Sequence, residues 1–103
     1  MKFVIHFRPG AAWVNGKSVF EQSLDDHGEY MQKLFDEKKL MIGGPYLDDR
    51  GGMAVIEATD KDEAAAILNN APAIVRRIFE AEMYPLMAVF DWTTGASLQR
   101  RSE

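Results

Sequence analysis

The chain contains no cysteine, which removes disulfides, thiolate nucleophiles and cysteine-based zinc or iron–sulfur sites together. Its two histidines, His6 and His27, stand at unrelated positions, so no metal site is expected from them either. No glycine-rich loop follows a strand and opens a helix, and nothing in the sequence calls for a cofactor. Positive charge is the scarcer sign. Twelve Lys and Arg against sixteen Asp and Glu leave a net charge of -4, the wrong sign for holding phosphate backbone or anionic lipid. Nucleic acid and membrane partners are therefore not expected. Long apolar runs are missing too: the opening stretch MKFVIHFRPG is broken by His6 and Arg8, too short and too polar for a signal sequence or a span. A cytoplasmic protein is the expectation.

What is present is enough hydrophobic material, 47% of 103 residues, to bury one core. We expect one domain over residues 1–92 and a polar tail over 93–103 that lacks any apolar period and frays or packs loosely. Lys2 to Arg8 reads as a first strand stopped by Pro9-Gly10, with Phe3, Ile5 and Phe7 on one face and Val4 and His6 on the other. A long connection from Pro9 to Asp26 follows, with Asn15-Gly16 suited to a tight turn. Trp13 and Phe20 argue that it is ordered, either as a lid or as a packed spacer. Asp25 or Asp26 can cap the first helix, along which Tyr30, Met31, Leu34 and Phe35 recur at helical spacing. Leu40 to Tyr46 and Met53 to Ala58 read as strands joined by Asp48-Asp49-Arg50-Gly51-Gly52. Asp60 and Glu63 have capping-box spacing ahead of a second helix, which Asn69-Asn70-Ala71-Pro72 interrupts. Phe79 to Leu86 reads as the last strand, which Met87 to Trp92 either extends or leaves to cover an edge.

The order strand, helix, strand, strand, helix, strand is that of a ferredoxin-like split βαβ sandwich, an α+β fold with both helices on one face of an antiparallel sheet. Its other face would expose Val4, Ile42, Ile56 and Tyr84, or their neighbours in the opposite phase. Such a patch predicts a homodimer, two sheets packed face to face as a barrel.

Chain reversal also brings the chemistry to one end. A helix of this length covers roughly 20 Å at about 1.5 Å per residue, and the following strand climbs about the same distance back at roughly 3.3 Å per residue. His27 and the Asp48 loop thus return to one rim, with Arg8 and Gly52. A histidine titrates near neutrality, and a carboxylate can fix its tautomer. His27 with Asp48 is accordingly the candidate acid–base dyad. Asp49 could replace Asp48, and Arg50 could pair with either. The plainer alternative is a solvated first-turn histidine and a turn-forming aspartate. His6, inside a strand, reads as a packed or interface residue.

His27 followed by Tyr30-Met31 and Leu34, then Leu40-Met41-Ile42-Gly43-Gly44-Pro45, Asp48 and Gly51-Gly52 before an apolar strand, resembles the YCII-related domain family of dimeric α+β barrels. The resemblance runs from about His27 to Pro85. It implies a homodimer with a pocket near each His–Asp pair, and His27 and Asp48 match the family's catalytic positions. Where many members carry an Asp-Pro-aromatic element after the second helix, this chain reads Ala71-Pro72-Ala73, without the second acid. Two functions follow as expectations. One is a small cofactor-independent enzyme, a lyase or isomerase moving a proton on a small cyclic or aromatic substrate, with Arg8, Trp13 and Tyr30 helping to form the pocket. The other is a non-catalytic dimeric module that binds a small molecule or regulates.

Overall fold

The computed structural model describes residues 1–99, so the part of the expected tail from 100 to 103 lies outside the described residues. Four strands, β1 (Lys2–Pro9), β2 (Leu40–Pro45), β3 (Gly52–Glu57) and β4 (Phe79–Leu86), form one antiparallel sheet in the order β2-β3-β1-β4. Between them lie α1 (Asp25–Asp36), α2 (Lys61–Asn69) and the short α3 (Pro72–Val75). This is the α+β sandwich that the order of elements predicts.

Strand alternation decides what each face carries. Phe3, Ile5 and Phe7 turn inward onto the helices, joined by Ala54 and Ile56 of β3 and by Phe79 of β4. From α1, α2 and α3 come Leu34, Ile67 and Ala73. Phe35, the fourth apolar residue of the α1 stripe, is instead exposed. Register pairs Val4 with Val55 and Tyr84, and Ile42 with Val55, so these four share the uncovered face. Ile56 does not join them; it is fully buried beneath the helices, and Val55 takes the outward place. The cause is local. Leu40 pairs with Ile56 but Ile42 pairs with Val55, a register shift that leaves Met41 as the extra residue. A bulge of this kind turns the strand over between its two ends, aiming Leu40 inward and Ile42 outward.

Helix ends follow from side chains near them. Asp60 accepts a hydrogen bond from the Glu63 N–H at 2.8 Å, while the Glu63 carboxylate reaches back to the Thr59 N–H at 3.1 Å, so the capping box is made one residue wide of its usual form. At the start of α1 neither aspartate is the cap. Leu24 holds that position, and Asp26 in the first turn accepts from the His27 N–H at 2.8 Å.

The connection after β1 is ordered. Lys17 N–H donates to Val14 C=O around Asn15-Gly16, where Gly16 has φ +82°, and a 3-10 turn follows over Val19–Glu21. Gln22, buried, pegs the loop: its Oε1 accepts from Val14 N–H, and its Nε2 donates to the carbonyls of Val14, Lys17 and Ser18. Beyond β4 the chain leaves the sheet. Asp91 bridges to Ala96 and forms an ion pair with Lys2 at 3.5 Å, so the start of the expected tail makes a turn anchored to β1. Among the described residues no helix is long and apolar enough to cross a membrane.

Candidate functional site

Register fixes which groups meet at each end of the sheet. Phe7 pairs with Gly52, Gly52 with Pro45 and Pro9 with Phe79. Against this end lies a cavity of about 400 Å³. Phe7, Phe79, Met31, Leu40 and Met53 give it apolar walls, the backbone of Gly43-Gly44 and Gly51-Gly52 lines one side, and Val19, Phe20 and Leu24 of the connection close another. Its polar side chains are His27, Asp25 and Gln22.

His27 is half-buried in that wall. Its ring meets Phe7 and Phe79 edge-on, with centroids 6.0 and 6.1 Å away. Nδ1 accepts a hydrogen bond from the backbone N–H of Ala73 at 3.4 Å. Among the described residues Nε2 makes no hydrogen bond, and no buried side-chain nitrogen or oxygen is without a partner. Nε2 is therefore not sealed from solvent, and the His27 side chain is part of the cavity lining. Burial lowers the imidazole pKa from 6.5; the Asp26 carboxylate opposes this, and the Arg76 guanidinium reinforces it. Asp26 and Arg76 are themselves paired at 3.1 Å, and Arg76 also donates to the Ser23 carbonyl.

The lowered pKa has a consequence for stability. An unfolded histidine takes up its proton near pH 6.5, whereas folded His27 resists until the pH is lower. Protons then bind the unfolded chain preferentially, so this contribution to stability is whole above pH 6.5 and is lost as the pH falls through the folded pKa. Urea unfolding midpoints measured above and below pH 6.5 should fall less in His27→Gln than in the wild type; equal slopes would contradict the assigned direction.

Asp48 lies in the exposed β2–β3 turn, where its carboxylate holds Arg50 Nε at 2.8 Å. Among the described residues no hydrogen bond joins it to His27, so the structure places both at one end of the domain without bringing the expected dyad into contact. Asp49 accepts from the Val19 N–H at 3.2 Å and clasps this turn to the connection. Arg8, Trp13 and Tyr30 do not line the cavity. Arg8 is on the uncovered face of β1, paired with Glu80 at 3.2 Å and Glu82 at 2.9 Å. Trp13 stacks obliquely on Phe79 with centroids 5.8 Å apart. The Tyr30 hydroxyl donates to the Ile67 carbonyl at 2.8 Å, tying α1 to α2, and burial raises its pKa above 10.0. His6 is exposed on the same face as Arg8, with Nδ1 at 2.9 Å from the Tyr46 hydroxyl. Among the described residues no group of three or more His, Asp or Glu could hold a metal ion.

Three comparisons bear on this arrangement. The sequence matches the family model described as the YCII-related domain over residues 1–93. It is 37% identical over 54 residues to an uncharacterized protein, YjpA, of Bacillus subtilis (strain 168). That match spans 52% of this chain and 64% of YjpA, less than two thirds of the relative's length. Among solved structures, the fold is similar to 5-chloro-2-hydroxyhydroquinone dehydrochlorinase (TftG) from Burkholderia phenoliruptrix AC1100, in complex with 2,5-dihydroxybenzoquinone. The TM-score is 0.61 over 84% of this chain and 94% of that one, at 21% identity, a likeness of fold.

Proposed function

Since the chain belongs to the YCII-related domain family, we propose that it is a small-molecule enzyme of lyase or isomerase type, in which His27 moves a proton on a cyclic substrate bound in the cavity. One observation carries the reading: a half-buried imidazole with one free nitrogen borders an apolar cavity of about 400 Å³, a size within the usual small-molecule range of roughly 300–1,000 Å³. A lowered pKa keeps that imidazole neutral near pH 7, and with Ala73 on Nδ1 the nitrogen left to exchange a proton with the substrate is Nε2. A dehydrochlorinase of a chlorinated hydroxyhydroquinone has the same fold, which favours a ring-shaped substrate.

Asp48 enters this proposal as a carboxylate that must first leave Arg50. The pair is exposed on both sides, and such pairs contribute about 0–1 kcal/mol, so release costs little. In Asp48→Asn the His27 pKa should fall if the dyad forms in solution; an unchanged value removes Asp48 from the mechanism and leaves His27 acting alone. The pairing of Asp48 with Arg50 also favours the second reading, a binding or regulatory module in which the cavity holds a small molecule without converting it.

The test is to incubate the protein in deuterated buffer with hydroxylated quinols, 5-chloro-2-hydroxyhydroquinone included, and follow chloride release and deuterium uptake. Turnover lost in His27→Gln supports the enzyme. Binding in the cavity with neither chloride release nor deuterium uptake supports the module instead.

The homodimer belongs to the same proposal. Val4, Val55, Ile42 and Tyr84 form an apolar patch on the uncovered face, against which a second sheet can pack. Sedimentation should give a dimer at micromolar concentration, dissociated by Val55→Asp. A wild-type monomer would contradict it.

A further inference from the structure

We propose that the cavity takes an uncharged, ring-sized molecule bearing a carbonyl or phenolic oxygen, and that His27 holds that oxygen by donating from Nε2–H, because the Ala73 N–H occupies Nδ1. The inference rests on His27 being the residue that meets the ligand, but not on turnover.

The tautomer follows from donor and acceptor counting. A backbone N–H can only donate, so Nδ1 of His27 must accept and carries no proton. In the neutral ring the proton is then on Nε2, which has no partner among the described residues, on a side chain that lines the cavity. Burial against Phe7 and Phe79 keeps the ring neutral despite the Asp26 carboxylate beside it, and Arg76 acts in the same direction. The resting ring thus offers the ligand a hydrogen-bond donor where a general base would offer a lone pair. Ala73 is a positioning residue here. Its N–H is delivered by Pro72 opening α3 just after the Asn69-Asn70 break.

Charge selects the ligand. Among the described residues no Lys or Arg lines the cavity, and Asp25 is its one carboxylate. Arg76 is engaged by Asp26 and Arg50 by Asp48, while all the amide hydrogen bonds made by Gln22 go to its own loop. A carboxylate or phosphate would therefore enter an apolar space facing a like charge and no counter-ion. A neutral ring packs against Phe7, Phe79, Met31 and Leu40 at no such cost.

Long-range 1H–15N spectra of the whole protein near neutral pH read the tautomer directly. A pyridine-like Nδ1 and a protonated Nε2 on His27 are expected; the opposite tautomer, or a doubly protonated ring, overturns the proposal. Acetophenone and benzoate, matched in ring size, then test the ligand class. Acetophenone should shift the His27 Nε2 and the Gly43 amide, benzoate should bind at least about tenfold more weakly, and His27→Phe should cost acetophenone about tenfold, as expected for one lost hydrogen bond. Benzoate binding as well as acetophenone, His27→Phe binding acetophenone undiminished, or no acetophenone binding at millimolar concentration would each contradict the assignment. Failure of turnover with intact acetophenone binding sinks the enzymatic reading and leaves this one standing.

Discussion

Replacing His27 with glutamine should lower the rate of proton transfer on any substrate of the cavity by about 10²–10⁴-fold, the usual weight of a positioned acid–base group. Glutamine is similar in size and keeps an amide donor near the place of Nε2, but it cannot take up and return a proton near neutral pH. Binding should therefore survive better than turnover. The fold should survive too, since Phe7, Phe79, Leu34 and Ile56 build the core without the imidazole. A His27→Gln protein with unchanged turnover on a substrate converted by the wild type would remove the residue from the chemistry. The comparison of kcat with KM separates a lost proton carrier, which lowers kcat, from a lost contact, which raises KM.

Gly51→Ala should destabilise the fold by at least about 3 kcal/mol, one of the largest effects available to a single added methyl group. Gly51 has φ +125°, a conformation that L side chains rarely adopt, and a Cβ built there would stand 1.9 Å from the Phe7 carbonyl oxygen and 3.0 Å from Arg8 Cα. Both obstacles are backbone of the inner strand β1, so neither can turn aside. The strain at this position is the condition for the β2–β3 turn to lie against β1 and close the end of the cavity. Gly16→Ala is the matched control. Its φ is also positive, at +82°, but a Cβ there meets nothing within 4 Å, so the cost should be only about 1 kcal/mol. Urea unfolding of the two variants checks the difference. A Gly51→Ala protein as stable as Gly16→Ala would mean that the turn does not lie where the structure places it.

Much of the fold was legible because it depends on strand order and alternation, and these are written in residue type. Phe3, Ile5 and Phe7 mark the inner face of β1, and the split βαβ order sets which strand ends meet. The same alternation should have moved Arg8 away from the cavity: one residue beyond inward Phe7, it points outward, to Glu80 and Glu82. Ile56 faces inward with its partner Phe3, and Ile42 does not follow it because a bulge at Met41 changes the phase of β2; bulges leave little trace in composition. At the site, His27 and the two glycine pairs were visible as chemistry and as backbone room. The partner of the imidazole was not. Asp48 finds a cation two residues away in Arg50, a competition that spacing alone does not resolve. The group that does reach Nδ1 is the N–H of Ala73, and a backbone amide has no side chain to announce it. Its position depends on how α3 docks against α1, a tertiary fact. Asp25 and Gln22 were not read as site residues for related reasons, one because it looked like a helix cap and one because it is a polar residue in a loop.

Both the proposed chemistry and the proposed ligand class require His27 to meet a ligand in the cavity between β1, the β2–β3 turn and α1. A crystal structure with a hydroxylated quinol or acetophenone bound tests this most directly. The prediction is a ring against Phe7 and Phe79, with its oxygen about 3 Å from His27 Nε2, the ordinary length of a hydrogen bond, while Ala73 remains on Nδ1. A ligand seated elsewhere, or an imidazole turned to present Nδ1 to it, would contradict the account.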